Sequence, residues 1–176
     1  MYTDSDGDIH IVGLVINDSN ANAQIVEVVG EFLDASDDVV ATETGLALVL
    51  TIAPGADSPF EVVLDNPPAG IAAFRASIGA TQSIPFLQPI EISETITDFD
   101  GSHVAGTVRN DSGDPYFGVV VWSAVFDASG TVLRVAPGDS SPEDLGPGAT
   151  GSFDATFDEP ASGASSARAW AEAIPF

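Results

Sequence analysis

His10-Ile-Val-Gly-Leu-Val-Ile-Asn-Asp-Ser19 recurs 93 residues later as His103-Val-Ala-Gly-Thr-Val-Arg-Asn-Asp-Ser112. The same offset continues without a gap and aligns further turn residues: Asp34-Ala-Ser36 with Asp127-Ala-Ser129, and Pro54-Gly-Ala56 with Pro147-Gly-Ala149. Self-similarity at a fixed offset is the signature of a duplicated structural module. We therefore predict two copies of one fold in tandem.

Short apolar runs separated by turn residues fill each copy. Ile9–Ile16, Phe60–Leu64 and their counterparts are rich in β-branched residues and are bounded by Asn, Asp, Gly, Pro and Ser, a pattern typical of the strands of a sandwich. No segment keeps a period of 3.6 residues. The sequence thus predicts an all-β chain of two tandem immunoglobulin-like antiparallel β-sandwiches, with domains at 1–86 and 87–176.

The ends of the two copies differ. Ser83-Ile-Pro-Phe86 closes the first copy and Ala173-Ile-Pro-Phe176 closes the second, whereas the strand-like run Leu87–Ser93 opens only the second. We therefore expect the first strand of the first copy to be missing or truncated. The alternative is that a preceding repeat or another chain supplies it, as in donor-strand assembly.

Strand alternation assigns side chains to the two faces of the third strand of each copy. The inward face is predicted to carry Val26, Val28, Gly30 and Phe32 in the first copy, and Val119, Val121, Ser123 and Val125 in the second. A further run, Leu46 to Ile52, aligns with the polar stretch Asp139–Asp144. It predicts a strand with core leucines in the first copy where the second has a loop.

The opposite face of the second copy predicts an interaction patch. It is formed by Val120, Trp122 and Phe126 on the third strand and by Arg168 and Trp170 on the last. An apolar and aromatic patch on a very acidic chain suggests contact with a protein partner or self-association. The alternative is that neighbouring loops, the linker or the other copy cover the rings.

The charge of the chain excludes several classes of partner. It has 27 acidic residues against four basic ones, all arginine, which gives a net charge of -23. Nucleic acid and anionic lipid are bound through Lys and Arg, so neither is an expected partner. The longest apolar-rich run, Leu46–Ile52, is too short to span a bilayer, and we expect no direct membrane insertion of this segment. Concentrated salt would screen the mutual repulsion, which favours a halophilic source over an ordinary acidic secreted protein.

The segment Val28-Val-Gly-Glu-Phe-Leu-Asp34, followed by Ile52-Ala-Pro-Gly55 and Phe60, resembles the FxLYD family, whose name describes a Phe-x-Leu-Tyr-Asp strand. In the second copy the resemblance rests on Val125–Gly130, Leu145-Gly-Pro-Gly148 and Phe153. The resemblance implies an immunoglobulin-like fold in prokaryotic extracellular, lipoprotein or surface-layer proteins. It also implies an accessory module with no catalytic residues.

Each copy begins with an acidic turn of the form Asp-x-Asp-Gly. The carboxylates are those of Asp4, Asp6, Asp98 and Asp100, and calcium prefers such oxygen ligands. An EF-hand loop starting at Asp4 would need Gly and Glu where Ile9 and Val15 stand. We therefore favour solvated acidic turns, with a calcium site at these four residues as the alternative and no other cofactor expected.

The sequence predicts no catalytic site. His10 and His103 are the only histidines and occupy equivalent positions near a strand start. We favour strand-end side chains over metal ligands, because a metal site needs several converging partners. We expect a non-catalytic structural or interaction module of a cell-surface or secreted prokaryotic protein. The alternatives are a subunit of an extracellular filament or surface layer assembled by strand complementation, and a calcium-dependent or carbohydrate-binding adhesion module.

Overall fold

The computed structural model describes residues 1–85 and 87–175, with side chains as far as position 173. The chain separates into two units, Met1–Ile84 and Pro85–Phe176.

The strands of the first unit follow the alternating apolar runs of its sequence. The strands of the first unit are β1 (Tyr2–Thr3), β2 (Ile9–Ile16), β3 (Ala23–Gln24), β4 (Glu27–Leu33), β5 (Val39–Ala47), β6 (Thr51–Ile52), β7 (Asp57–Leu64) and β8 (Ala73–Ile78).

The second unit repeats the same order of strands. Its strands are β9 (Ile92–Phe99), β10 (His103–Asn110), β11 (Tyr116–Phe126), β12 (Val132–Ser141), β13 (Thr150–Thr156) and β14 (Ser166–Pro175). At the offset of 93, β10 to β14 correspond to β2, β4, β5, β7 and β8. This confirms the predicted fold class of two tandem antiparallel sandwiches. Phe86 and Phe176, which end the predicted closing segments, lie outside the described residues.

Two layers of antiparallel strands enclose the core of each unit. In the first unit, β2 pairs with β7 over its whole length, and β4 pairs with both β5 and β8. Ile11 and Val62 from the first layer and Val28 and Phe32 from the second are fully buried in one cluster. Val119, Val121 and Val125 lie in the corresponding cluster of the second unit, so the predicted inward faces are confirmed. Apolar burial of this kind is the dominant stabilising term in a small domain.

One strand of each unit joins the two layers. β5 pairs with β4 and then, at Leu46 and Ala47, with β7; β12 passes from β11 to β13 at Ser140 and Ser141. A glycine stands at the crossing in each unit. A Cβ atom on Gly45 would overlap the carbonyl of Glu61, and one on Gly138 would lie 2.8 Å from the amide nitrogen of Ala155. The crossing therefore requires glycine, because the strand lies directly against a neighbouring backbone.

The prediction for the leucine-rich run of the first copy was wrong. Ser140 and Ser141 of the aligned segment belong to β12, whereas Leu48 and Leu50 lie in the bend between β5 and β6. Leu46 is 45% exposed, Leu48 and Leu50 are half-buried, and among these four large apolar residues Ile52 alone is buried. The crossing explains the exposure of Leu46. The end of β5 is held by backbone pairing with β7 and does not need a continuous apolar face.

No helix long and apolar enough to cross a bilayer occurs among the residues that the structure describes.

Candidate functional site

The five residues of the predicted interaction patch lie together on the outer face of the β14–β11–β12 layer. Trp122 and Trp170 are directly opposite each other on adjacent strands, and Ala124 lies opposite Arg168. The neighbouring residues Val121 and Ala171 belong to the core, so strand alternation directs both indole rings outward. The structure thus brings Val120, Trp122, Phe126, Arg168 and Trp170 onto one face.

Two of the aromatic rings of this patch are largely shielded from solvent. Trp170 is only 9% exposed and Phe126 5% exposed, whereas Val120 and Trp122 are half-buried. The guanidinium of Arg168 lies 4.6 Å from the centre of a Trp170 ring, which is cation–π geometry. The part of the patch that solvent reaches is therefore centred on Val120, Trp122 and the exposed Arg168.

The acidic turns use their carboxylates to order their own backbone. Asp4 Oδ1 accepts hydrogen bonds from the amides of Asp6 and Asp8, and Asp100 Oδ1 accepts from the amide and the hydroxyl of Ser102. The hydrogen bond from Ser102 is the main cause of a lowered pKa at Asp100. Among the described residues, no group of three or more His, Cys, Asp or Glu side chains is arranged to hold a metal ion. Of the four carboxylates of the calcium hypothesis, those of Asp4, Asp6 and Asp100 thus lie in hydrogen-bonded turns, and that of Asp98 lies near the end of β9.

His10 lies between two carboxylates. Its Nδ1 is 2.8 Å from Glu61 Oε1 and its Nε2 is 3.1 Å from Asp4 Oδ2, while the ring of Tyr2 stacks on it at 4.6 Å. Both nitrogens can donate at once only in the protonated imidazolium. The hydrogen bond to Glu61 is the main cause of a raised pKa at His10, and the bond to Asp4 adds to it against the opposing effect of burial. This arrangement ties the first turn to β7.

His103 occupies the matching place in the second unit with different partners. Its Nδ1 is 3.2 Å from Asp100 Oδ1, and its Nε2 is 3.6 Å from Asp98 Oδ2. Both carboxylates are on the exposed side of the turn. The histidines therefore fasten turns to strands in both units, as strand-end residues do.

The two units differ most where the first strand should close the sandwich. In the second unit, β9 pairs with β10 from Ile92 to Phe99. In the first unit, β1 pairs with β2 only at Ile9 and His10. No other described strand pairs with that edge of β2, so the edge from Ile11 to Ile16 carries no strand in the part of the chain that the structure describes.

Apolar side chains are exposed on the inward face of β8. Phe74 lies opposite Phe32 and Ile78 lies opposite Val28, both of which are buried core residues. Phe74 and Ile78 are nevertheless 39% and 55% exposed. The matching positions of β14 are Ala167 and Ala171, of which Ala171 is only 5% exposed.

We call the free edge of β2 (Ile11–Ile16), together with Phe74, Ala76 and Ile78, the open cleft of the first unit. Its end is a depression lined by Val15, Val26 and Ile78. Sequence reasoning expected the short first strand but did not single out β8. The available signal was that Ala167 and Ala171 of the second copy align with Phe74 and Ile78 in the first, since large apolar residues need a cover that alanine does not.

Comparison with known proteins gives distant structural likenesses alone. No protein-family model matches the chain, and no curated protein matches it. Solved structures of an exo-chitosanase from Amycolatopsis orientalis match at TM-scores of 0.30 and 0.31 with 16% and 17% identity. They cover 98% and 100% of this chain, which spans about a quarter of the length of those proteins. A likeness this distant carries no argument about function.

Proposed function

We propose that the chain is a non-catalytic structural and interaction segment of an extracellular or cell-surface prokaryotic protein. The observation that carries the proposal is the inward face of β8, where Phe74 and Ile78 are 39% and 55% exposed. Exposed apolar surface of this kind marks a site of contact with another polypeptide.

The use of the polar side chains supports a structural role. Asn110 donates to the backbone carbonyls of Asp114 and Leu145 and accepts from the amide of Ser112. Asp127 accepts three hydrogen bonds from its own turn, from the amides of Ser129 and Thr131 and from the Ser129 hydroxyl. Catalysis instead needs an acid, a base and a binding cavity that converge on one point. The resemblance to FxLYD domains points to the same kind of accessory module and to an extracellular setting.

The charge supports a source that lives in concentrated salt. A compact body of net charge -23 is destabilised by its own repulsion at low ionic strength. In about 1 M salt the screening length falls to roughly 3 Å, and this cost largely disappears. We propose a halophilic prokaryote as the source.

Labelling of intact cells tests the proposed location. An antibody raised against the full chain is applied to unpermeabilised cells of the source organism and to the culture medium. The proposal expects label on the cell surface or protein in the medium. Label that appears only after permeabilisation would overturn it, and an antibody against a cytoplasmic protein reports whether the cells stayed intact.

The free edge of β2 favours a second candidate, a subunit of a filament or surface layer assembled by strand complementation. An exposed strand edge readily pairs with another chain. Sedimentation of the full chain in about 2 M sodium chloride, where charge repulsion is screened, separates the two candidates. A single monomeric species favours the structural module, and an extended series of oligomers favours the filament subunit.

A further inference from the structure

The outer face of the layer formed by β2, β7 and β5 is apolar in the first unit. Ile11, Phe60 and Ala47 are core residues of these strands, so alternation directs their neighbours outward. Pairing places the outward side chains in rows across the layer: His10 with Val63, Val12 with Glu61 and Leu46, Leu14 with Pro59, and Ile16 with Asp57. Leu48 extends the row of Pro59, because its amide donates to the Pro59 carbonyl.

Solvent reaches much of this face. Ile16 is 66% exposed, Leu46 45% and Val63 38%, while Leu14 and Leu48 are half-buried. We call these five residues the apolar face of the first unit. Large apolar side chains that lie together on a surface mark an interaction site.

The second unit forms the same layer without apolar residues at these positions. At the offset of 93, the matching residues are Thr107, Arg109, Asp139, Ser141 and Thr156. All five are exposed, and three of them line an open polar depression. Since the fold accepts polar residues here, the large apolar residues of the first unit serve a contact and not the formation of the layer.

The apolar face carries little free charge. The carboxylate in the middle of its rows is that of Glu61, whose Oε1 lies 2.8 Å from His10 Nδ1 and accepts a hydrogen bond from the hydroxyl of Tyr2. Asp57 lies at the margin, opposite Ile16. A strongly charged partner surface would find few ionic contacts on this face, so the complementary surface is apolar and uncharged.

We infer that the apolar face binds the same face of a second copy of the chain in a two-fold symmetric dimer. Each copy carries a net charge of -23, and two copies meet with least repulsion through faces that lack free carboxylates. Two β-sheets pack face to face about 10 Å apart through interdigitated apolar side chains. Because both copies use the same face, the contact closes at two chains. This inference rests on the proposed function and identifies a partner for it.

Sedimentation of the full chain in about 2 M sodium chloride, where the remaining repulsion is screened, tests the inference. We expect monomer at low concentration and dimer as the concentration rises, with no larger species. Leu46→Asp, at a side chain that is already 45% exposed, should weaken dimerisation at least about tenfold.

A triple variant removes the face without a change of fold. Leu14→Thr, Leu46→Asp and Leu48→Ser introduce the residues that the second unit has at the matching positions, so the variant should fold and stay monomeric. Val40→Asp is the matched control, because Val40 is 40% exposed and lies in the part of β5 that pairs with β4. It should dimerise like the unaltered chain. Circular dichroism checks the fold of each variant.

A single thiol tests whether the cover comes from a second copy. The chain has no cysteine, so Leu46→Cys introduces one reactive site. Its reaction with a maleimide should slow at least about threefold as the chain concentration rises and the dimer forms. Val40→Cys should react at the same rate at every concentration.

Several results would overturn the inference. They are a chain that stays monomeric at about 100 µM, dimers that the triple variant retains, dimers that Val40→Asp also abolishes, and oligomers larger than two. A Leu46→Cys thiol that is protected equally at every concentration would assign the cover to the same polypeptide and would also contradict it. A chain that is located at the cell surface but monomeric removes this inference alone and leaves the proposed function standing.

Discussion

Gly30 and Ser123 occupy the same place in the two cores, and the residues around them differ in size to match. A Cβ atom on Gly30 would lie 2.9 Å from Ile11 Cδ1 and 3.0 Å from Val62 Cγ1. The residues that match Ile11 and Val62 in the second unit are the smaller Val104 and Ala155, and Ser123 is fully buried there. The larger side chains of Ile11 and Val62 thus occupy the space beside Gly30, whereas Ser123 stands beside smaller neighbours.

Exchanging these residues for alanine should have opposite effects in the two units. Ser123 Oγ makes no hydrogen bond to any described residue, so Ser123→Ala should raise the free energy of unfolding by about 1 kcal/mol. Gly30→Ala should lower it by about 1 to 3 kcal/mol because the core is overpacked. Denaturant titrations followed by circular dichroism measure both. A destabilised Ser123→Ala protein would show that the hydroxyl has a partner.

Asn110 should be among the most sensitive polar residues of the second unit. It is fully buried; its Nδ2 donates to the carbonyls of Asp114 and Leu145, and its Oδ1 accepts from the amide of Ser112. Asn110→Asp puts a carboxylate oxygen against two carbonyls and should lower the free energy of unfolding by about 2 to 4 kcal/mol. Both tryptophans lie in the second unit, so their fluorescence follows its unfolding.

The neighbouring Asp111 supplies the control for that measurement. Its side chain is exposed and forms an ion pair with Arg109. Surface pairs of this kind contribute little, so Asp111→Asn should change the free energy of unfolding by less than about 1 kcal/mol. Equal losses in the two variants would contradict the importance assigned to the buried amide.

The stability of the first unit should decrease as the pH rises above about 6.5, the ordinary pKa of histidine. Because Glu61 and Asp4 raise the pKa of His10 in the folded state, the folded chain holds its proton more tightly than the unfolded chain. The contribution is complete below that ordinary value and is lost as the pH passes through the raised one. His10→Gln should remove this pH dependence and lower the free energy of unfolding at pH 6 by about 1 to 2 kcal/mol.

The measurement is a series of denaturant titrations between about pH 6 and pH 9, across the range in which histidine titrates. His103→Gln provides the matched variant in the second unit and should retain the contribution of His10. A pH profile of His10→Gln identical to that of the unaltered chain would refute the assignment.

Arg168 should shield Trp170 from solvent. In a Trp122→Phe background, Arg168→Ala should shift the Trp170 emission to longer wavelength and increase quenching by acrylamide. The accompanying loss of stability should be about 0.5 to 1 kcal/mol, as for a cation–π pair at a protein surface. Arg75→Ala, which breaks an exposed pair with Glu31 in the first unit, should leave the emission unchanged. An unchanged spectrum of Arg168→Ala would mean that other side chains cover the ring.

Salt should stabilise the whole chain. Raising sodium chloride from about 0.1 M to 2 M shortens the screening length from about 10 Å to below 3 Å and should raise the unfolding temperature. A variant with Asp18→Asn, Glu43→Gln and Asp65→Asn, all at exposed positions, should show a smaller rise. Thermal unfolding followed by circular dichroism measures this. Equal salt dependence in the two proteins would argue against surface repulsion as the cause.

The duplication made the strands and their inward faces predictable, because period-two alternation and turn residues are local signals. Val28 and Val121 were placed in their cores on that basis alone, and the structure agrees. The crossing strands were not predictable. Glycine is required at Gly45 and Gly138 because of the backbones of Glu61 and Ala155, which are distant in sequence. The contact of Arg168 with the ring of Trp170 was not predictable either. Strand alternation places both side chains on one face but does not specify that they touch.

The passage of β5 and β12 between layers has a consequence for how each unit comes apart. In a sandwich of two unconnected sheets, the sheets can separate and unfold one after the other. Only the apolar contacts between them resist this separation. Here a continuous ladder of backbone hydrogen bonds runs from one sheet into the other, so peeling either sheet must also break the ladder at Leu46 and Ala47 or at Ser140 and Ser141. Such linkage favours an all-or-none response to mechanical tension within each unit.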